Sequence, residues 1–306
     1  MSTTQSWLAL VIGNTRLHWG YFCQNKLEST WHTLHMSRVD VSRLITTGFA
    51  TESWQQIANH HTAIAEHLPR SGLSVVELWV GSVVPQQTAL WRQPAINPQP
   101  SILTEQVVRS RIPINHLYPT LGIDRAITLL GAGSTYGWPV VVIDAGTALT
   151  LTAGIATMPD SAEDSHSAAY SATFYGGAIL PGLRLQTAAL SQGTAMLSQF
   201  ADDFVRQASS APEVMPEMSV LPERWALDSS GAIASGITYG LTATLVDYLS
   251  DWWERHPEGK ALMTGGDAHF LHQHLMQRTP EIGSRVHINQ DLMFYGMRAY
   301  RSSCQA

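Results

Sequence analysis

Four short clusters set small, hydroxyl or acidic residues at the ends of apolar runs, where open α/β sheets present their ligand sites. Gly13-Asn14-Thr15-Arg16 follows the run Trp7–Ile12. A glycine in a tight turn lets backbone N–H groups approach a phosphate, and Asn14 and Thr15 add uncharged donors. Asp144-Ala145-Gly146-Thr147-Ala148 closes a second apolar run, Val140–Ile143. A carboxylate there must be solvated in a cleft, paired, or bound to a cation, and Thr147 is placed to donate to a phosphate oxygen. Gly122-Ile123-Asp124-Arg125 sets an acid beside a base at a helix start. Asp124 then reads as a general base toward a substrate hydroxyl, with Arg125 orienting an anionic group. Thr264-Gly265-Gly266-Asp267-Ala268 follows a strand, and Gly176-Gly177 through Gly182 reads as a companion glycine turn open to a base or a phosphate. Each cluster also reads as ordinary structure: a hairpin turn, an Asp-closed turn, a helix N-cap. The chain has neither Gly-x-x-x-x-Gly-Lys-[Ser/Thr] nor a Gly-x-Gly-x-x-Gly opening its first helix, which leaves a lysine-free phosphate cradle built from hairpin turns.

The elements that must hold these clusters show a weak repeat. Trp7–Gly20 reads as strand, tight turn, alternating strand, and Val140–Gly154 has the same layout 133 residues later. Gly13 then overlays Gly146, and Val11 overlays Asp144. Two such hairpins opening two halves suggest a duplicated α/β domain with a cleft between the copies. Pro139 in Gly137-Trp138-Pro139 disfavours helix just before it, so the expected domains are 1–138 and 139–306. Residues 122–136 read as a helix, 73–85 as strand-like, 157–171 and 209–222 as loops. A long apolar helix over 231–254, a strand over 261–264 and a final helix over 291–300 complete the reading.

Composition narrows the function classes. The 306 residues are 44% hydrophobic and 14% charged, enough for two packed cores and against a largely disordered chain. Net charge is −6 and no run of three Lys or Arg occurs, so neither a nucleic-acid groove nor an anionic membrane surface is indicated. Cys23 and Cys304 lie near opposite ends, with no metal-ligand spacing and no disulfide framework, which fits a cytoplasmic protein. No apolar run approaches the roughly 18 residues of a membrane span. His269, His272 and His274 read as surface or core histidines rather than a metal site, because His274 lies off the face shared by the other two. Trp252 and Trp253 read as core or dimer contacts.

Gly13-Asn-Thr, Ser82-Val-Val-Pro85, Gly122-x-Asp-Arg125, Asp144-x-Gly-Thr-Ala148, Gly176-Gly-x-Ile-x-Pro-Gly182 and Thr264-Gly-Gly-Asp-Ala268 together resemble, in order and spacing, the type III pantothenate kinases. The resemblance implies two duplicated actin-like (ribonuclease H-like) α/β domains with an ATP cleft between them. It implies ATP-dependent phosphorylation of the 4′-hydroxyl of pantothenate, the first step of coenzyme A synthesis. ATP contacts would fall on Val11, Ile12, Gly13, Asn14, Thr15 and Arg16, on Thr147, and on Gly265 and Gly266. Pantothenate would meet Gly122, Ile123, Asp124 as proton acceptor, Arg125, Ser229 and Tyr118, with His116 a competitor for the tyrosine's role. Asp144 would bind a monovalent cation, potassium or ammonium, and magnesium would arrive with ATP. A homodimer would complete the pantothenate pocket.

Two departures from the family pattern stand out. The family's first motif begins with aspartate, and Val11 holds that place here; no acid occurs anywhere from Trp7 to Phe22. A catalytically impaired nucleotide- or pantothenate-binding homologue is therefore the alternative reading, and a sugar or short-acid kinase of the same fold is a third. At Asp228-Ser229 the family has Asn-Thr; Ser229 keeps the hydroxyl, and Asp228 adds a charge.

Overall fold

Strand β1 (Ser6–Ile12) is buried at every position, as a central strand covered on both faces must be. It pairs antiparallel with β2 (Leu17–Cys23), which pairs antiparallel with β3 (Lys26–Thr33). After helices α1 (Arg38–Thr46) and α2 (Thr51–Ala58), β4 (Glu77–Ser82) returns parallel to β1. Helix α3 (Pro85–Trp91) then leads to β5 (Leu103–Gln106), parallel to β4, giving the sheet order β3-β2-β1-β4-β5. A short strand β6 (Ile114–Asn115) precedes α4 (Ile123–Tyr136).

The second half repeats this plan. β7 (Val140–Ala145), β8 (Ala148–Ala156) and β9 (Ala172–Pro181) form an antiparallel meander. Helices α5 (Leu183–Gly193) and α6 (Ser229–Arg255) follow, then β10 (Lys260–Thr264) parallel to β7. Past α7 (Ala268–Arg278) and α8 (Pro280–Gly283), β11 (Val286–Ile288) lies parallel to β10, so these strands run β9-β8-β7-β10-β11. The chain ends in α9 (Leu292–Gln305). This computed structural model describes residues 6–58, 75, 77–91, 103–157, 172–193, 197 and 221–305. The loops expected over 157–171 and 209–222 fall almost wholly outside them.

The duplication extends to register. Val11 lies opposite His18 on one side and Gly81 on the other, as Asp144 lies opposite Thr150 and Thr264. Ile12 O accepts from Val83 N at 3.1 Å, and Ala145 O accepts from Asp267 N at 2.9 Å. Both halves therefore carry the same doubled α/β plan, the one expected of duplicated actin-like domains.

The chain divides into two compact units, Met1–Ser134 with Met293–Ala306, and Thr135–Leu292. The expected division at 138/139 thus differs in two places: the break comes a few residues earlier, and the final helix returns to the first unit. The reason is packing. Gly20 leaves room for the Phe294 ring, Tyr300 Oη accepts from Val108 N at 2.9 Å, and Arg301 Nε lies 2.9 Å from Glu77 Oε2. That ion pair is about nine-tenths buried on both sides, so either charge left alone would be strongly unfavourable.

Each unit has its own core. In the first, Trp19, Trp31, Phe49, Trp54 and Trp91 form one aromatic cluster behind β1 and β2, with ring centroids as close as 5.1 Å. In the second, Ile233, Ile237, Leu241, Leu245 and Leu249 place an i,i+4 stripe of α6 on the sheet, and Trp252 and Trp253 are part of this core. His272 Nε2 donates to Gly283 O and Val286 O, tying α7 to its neighbours, and His274 is buried against the Phe270 ring. Gly176 and Gly177, read from sequence as a turn, lie inside β9 opposite Ala153 and Thr152. Two adjacent residues without side chains carry no alternation, so the strand was not visible there.

Candidate active site

The β1–β2 turn is closed by Gly13 N donating to Arg16 O at 3.0 Å. Asn14 and Thr15 are exposed at its tip, while Val11 and Ile12 beneath it are buried. Paired residues of a sheet share a face, so Val11, His18 and His32 form one row across β1, β2 and β3. His35 Nε2 donates to Gly13 O at 2.9 Å. The predicted ATP contacts of the first half thus run from the buried end of β1 into one exposed turn, and His18, His32 and His35 lie near it, which the sequence reading did not single out.

On the same face of this sheet stands the start of α4: a side chain at Gly81 would meet Ile123. Asp124 Oδ1 accepts from Arg125 N at 2.8 Å, and a side chain at Gly122 would collide with that same oxygen. Gly122 is required for this close approach. Burial pushes the Asp124 carboxyl above its usual value of 3.8, only partly offset by the Arg125 N–H and charge. Arg125 Nη1 donates to Tyr118 Oη at 3.1 Å, so Tyr118 joins the Gly122–Arg125 group. His116 is exposed, in a left-handed conformation at φ 61°. Beside this group opens a cavity of about 420 Å³ lined by Ser82, Thr88, Gln106, Arg109, Gly122 and Ile123, among others. Arg109 donates to Pro119 O through Nη1, while its buried Nε has no hydrogen-bond partner among the described residues. Ser82 belonged to a quoted motif; Thr88, Gln106 and Arg109 come from three further segments and carried no local signal.

In the second unit Asp144, Thr147, Gly265 and Gly266 gather at the ends of β7 and β10. A side chain at Gly265 would strike Ala145 backbone and Asp144 Oδ1, each at 2.6 Å, and Gly265 has φ +95°. Gln290 clamps the Gly265 peptide, accepting from its N–H at 3.0 Å and donating to its carbonyl at 3.1 Å. Gly182 N donates to Thr147 O at 3.1 Å, and only glycine fits there against Gly146 O. Thr150 Oγ1, buried on the Asp144 face of β8, has no hydrogen-bond partner among the described residues. Asp267 is buried with its carboxyl raised by desolvation, against a smaller opposing effect of Arg184. Gly265→Ala is expected to destabilise the fold by about 2 kcal/mol through positive-φ strain and backbone collision; an unchanged urea midpoint would contradict this account of the turn.

Ser229 occupies the exposed first turn of α6. Asp228 caps that helix, its Oδ1 accepting from Gly231 N at 2.9 Å, so its negative charge meets the positive end of the helix dipole.

Known proteins give this arrangement a family. A model of the type III pantothenate kinase family matches residues 7–157. Proteins named type III pantothenate kinase are similar across nearly the whole chain. That of Nostoc sp. is 36% identical over 294 residues, covering 95% of this chain and 93% of its own. That of Synechocystis sp. is 35% identical, covering 96% and 89%. A Synechococcus sp. protein is 37% identical, covering 93% and 85%. Full-length likeness at this level, with the six motifs in order, shows that the chain belongs to the type III pantothenate kinase family.

Proposed function

We propose that this protein uses ATP to phosphorylate the 4′-hydroxyl of pantothenate, opening coenzyme A synthesis in the cytoplasm. The observation that carries the reading is the desolvated carboxylate of Asp124 at the start of α4, next to the cavity that Gly122 and Ile123 line. The pantothenate oxygen attacks the γ-phosphorus of ATP, the bond from that phosphorus to the β,γ-bridging oxygen breaks, and ADP leaves. The hydroxyl proton passes to Asp124. The Tyr118–Arg125 pair and Arg109 supply donors for the substrate carboxylate and amide. Gly13 to Arg16, Thr147 and the Gly265–Gly266 turn receive the nucleotide. The alternative, a catalytically impaired nucleotide- or pantothenate-binding homologue with Val11 in the place of the family's aspartate, is not favoured by the full-length likeness to proteins named type III pantothenate kinase.

Asp144 with the Thr150 hydroxyl, which has no hydrogen-bond partner among the described residues, fits a monovalent cation, and glycines at 146 and 265 stand beside its carboxylate. Potassium or ammonium held there would offset phosphate charge, and magnesium arriving with ATP would screen the transferring group. Among the described residues, no helix is long and apolar enough to cross a membrane. A homodimer is the expected assembly, with Trp225 (87% exposed) and Leu227 (102% exposed) offering apolar surface.

ADP release by the purified protein tests this reading. Turnover should require pantothenate, rise at least about tenfold with potassium or ammonium over sodium, and lose that response in Asp144→Asn. No pantothenate-dependent ADP under any cation would sink the kinase reading; cation-independent turnover would remove the site at Asp144, and a monomer by light scattering would remove the dimer.

A further inference from the structure

Helix α9 returns to the first unit and packs against α4, the helix that carries Asp124. Where the two meet, the contact is backbone on backbone. A side chain at Gly296 would collide with Ile127 O and lie 2.7 Å from Ile127 C and 2.9 Å from its Cγ2. The side chains at a crossing set how far apart two helices stand, and here even a methyl group does not fit. Glycine is an unfavourable choice inside a helix, so close approach is what it provides at this position. One residue on, Met297 is fully buried, and a side chain at Gly81 of β4 would meet its Sδ at 3.5 Å and Ile123 Cγ2 at 3.6 Å. Ile123 and Ile127 lie one turn apart on one face of α4. Gly296 and Met297 therefore bear on the first two turns of that helix.

Helix α9 is itself fixed to the sheet. Phe294 packs on Gly20 of β2, Arg298 Nη1 donates to Asn25 O at 3.3 Å, Tyr300 Oη accepts from Val108 N, and the buried Arg301 guanidinium pairs with Glu77 of β4. Asp124 is bound to α4: its Oδ1 accepts from Arg125 N, and its carbonyl accepts from Thr128 Oγ1 at 2.7 Å. The place of its carboxylate over the sheet is thus the place of α4 as a rigid rod. We propose that Gly296 is a positioning residue for phosphoryl transfer, its missing side chain letting α9 hold α4 at the height where Asp124 meets the substrate hydroxyl. Met297 supports the first turn of the same helix beside the cavity that Ile123 lines. The proposal rests on the kinase reading in taking Asp124 as the proton acceptor.

Steady-state kinetics and one resonance of the full-length protein test it. Gly296→Ala should lower kcat about 10²-fold, the loss that goes with moving a catalytic group by about 1 Å, and leave KM for ATP within about twofold. Met297→Ala should lower kcat about tenfold, and Met297→Leu, which restores the volume, should stay within about threefold of the parent. Leu245→Ala, in the core of the other unit, lowers the thermal midpoint without touching α4 and should keep kcat within about twofold. Position is read without turnover from the Arg125 amide resonance, because that N–H donates to the Asp124 carboxylate and follows its titration. Burial holds the carboxyl above 3.8 in the parent, and in Gly296→Ala the midpoint should fall toward 3.8 as the displaced group gains water. Parent-like kcat in Gly296→Ala, an equal loss in Leu245→Ala, equal effects of Met297→Ala and Met297→Leu, or an unmoved Arg125 midpoint would each overturn the proposal. If Gly296→Ala fails to fold, the two Met297 variants carry the test. A parent that never phosphorylates pantothenate would overturn the kinase reading, and the Arg125 titration would then decide the positioning by itself.

Discussion

Asp124→Asn is expected to lower kcat about 10³-fold, in the range for loss of a positioned general base, while leaving the folded protein at least as stable as before. The two signs follow from one fact. Burial raises the Asp124 carboxyl above 3.8, so the folded state binds its proton more tightly than the unfolded chain does. The stability gained from protonation is fully present below 3.8 and is lost as pH rises through the folded-state value. At neutral pH the ionised Asp124 is therefore a burden on the fold, and an amide of the same shape lifts it. Catalysis runs the other way: only the carboxylate can accept the hydroxyl proton, so kcat/KM should fall on the acid side at a pH above that of an ordinary aspartate. The asparagine variant should keep its affinity for ATP. A variant that turns over within tenfold of the parent, or an acid limb unmoved from the ordinary aspartate range, would remove Asp124 from proton transfer.

The parts of this molecule legible in its sequence are those where one short segment holds the whole message. The two opening hairpins, the start of α4 and the long α6 stripe are such segments, and the pairing of Val11 with Asp144 was readable because both hairpins keep one offset. What stayed hidden depends on long-range register. The helix α9 looks like the end of the second half, yet Phe294, Tyr300 and Arg301 find their partners at Gly20, Val108 and Glu77. The cavity beside Gly122 gathers Ser82, Thr88, Gln106 and Arg109 from separate elements. His32 and His35 reach the first turn only because β3 folds back on β2. Asp228, whose charge had no evident purpose, became intelligible once the helix start at Ser229 was placed.

The same register reverses the meaning of the missing acid. Val11→Asp should not raise activity; it should destabilise the fold by about 3 kcal/mol, as burial of a poorly solvated charge does. The two equivalent positions differ in surroundings. Asp144 is half-buried with glycines at 146 and 265 beside its carboxylate, whereas Val11 is only 2% exposed and faces His18 across the strand pair. In the parent protein the half-buried His18 ring is held down at about 4, well below 6.5, by desolvation first and then by His32 and Arg16. The stability that its neutral form contributes is present above 6.5 and is lost as pH falls through about 4. A carboxylate at position 11 would stabilise the imidazolium and move that titration upward, visible in the His18 ring resonances. It would also set an anion at the end of β1, beneath the first turn, opposing the positive charge of Arg16. A gain in kcat of tenfold or more, with an unchanged urea midpoint and an unmoved His18 titration, would show instead that the position awaits an acid. The expected loss would mean that position 11 is built for a buried apolar side chain, and that the two equivalent strand positions differ in kind: a half-buried acid at Asp144, a fully packed valine at Val11.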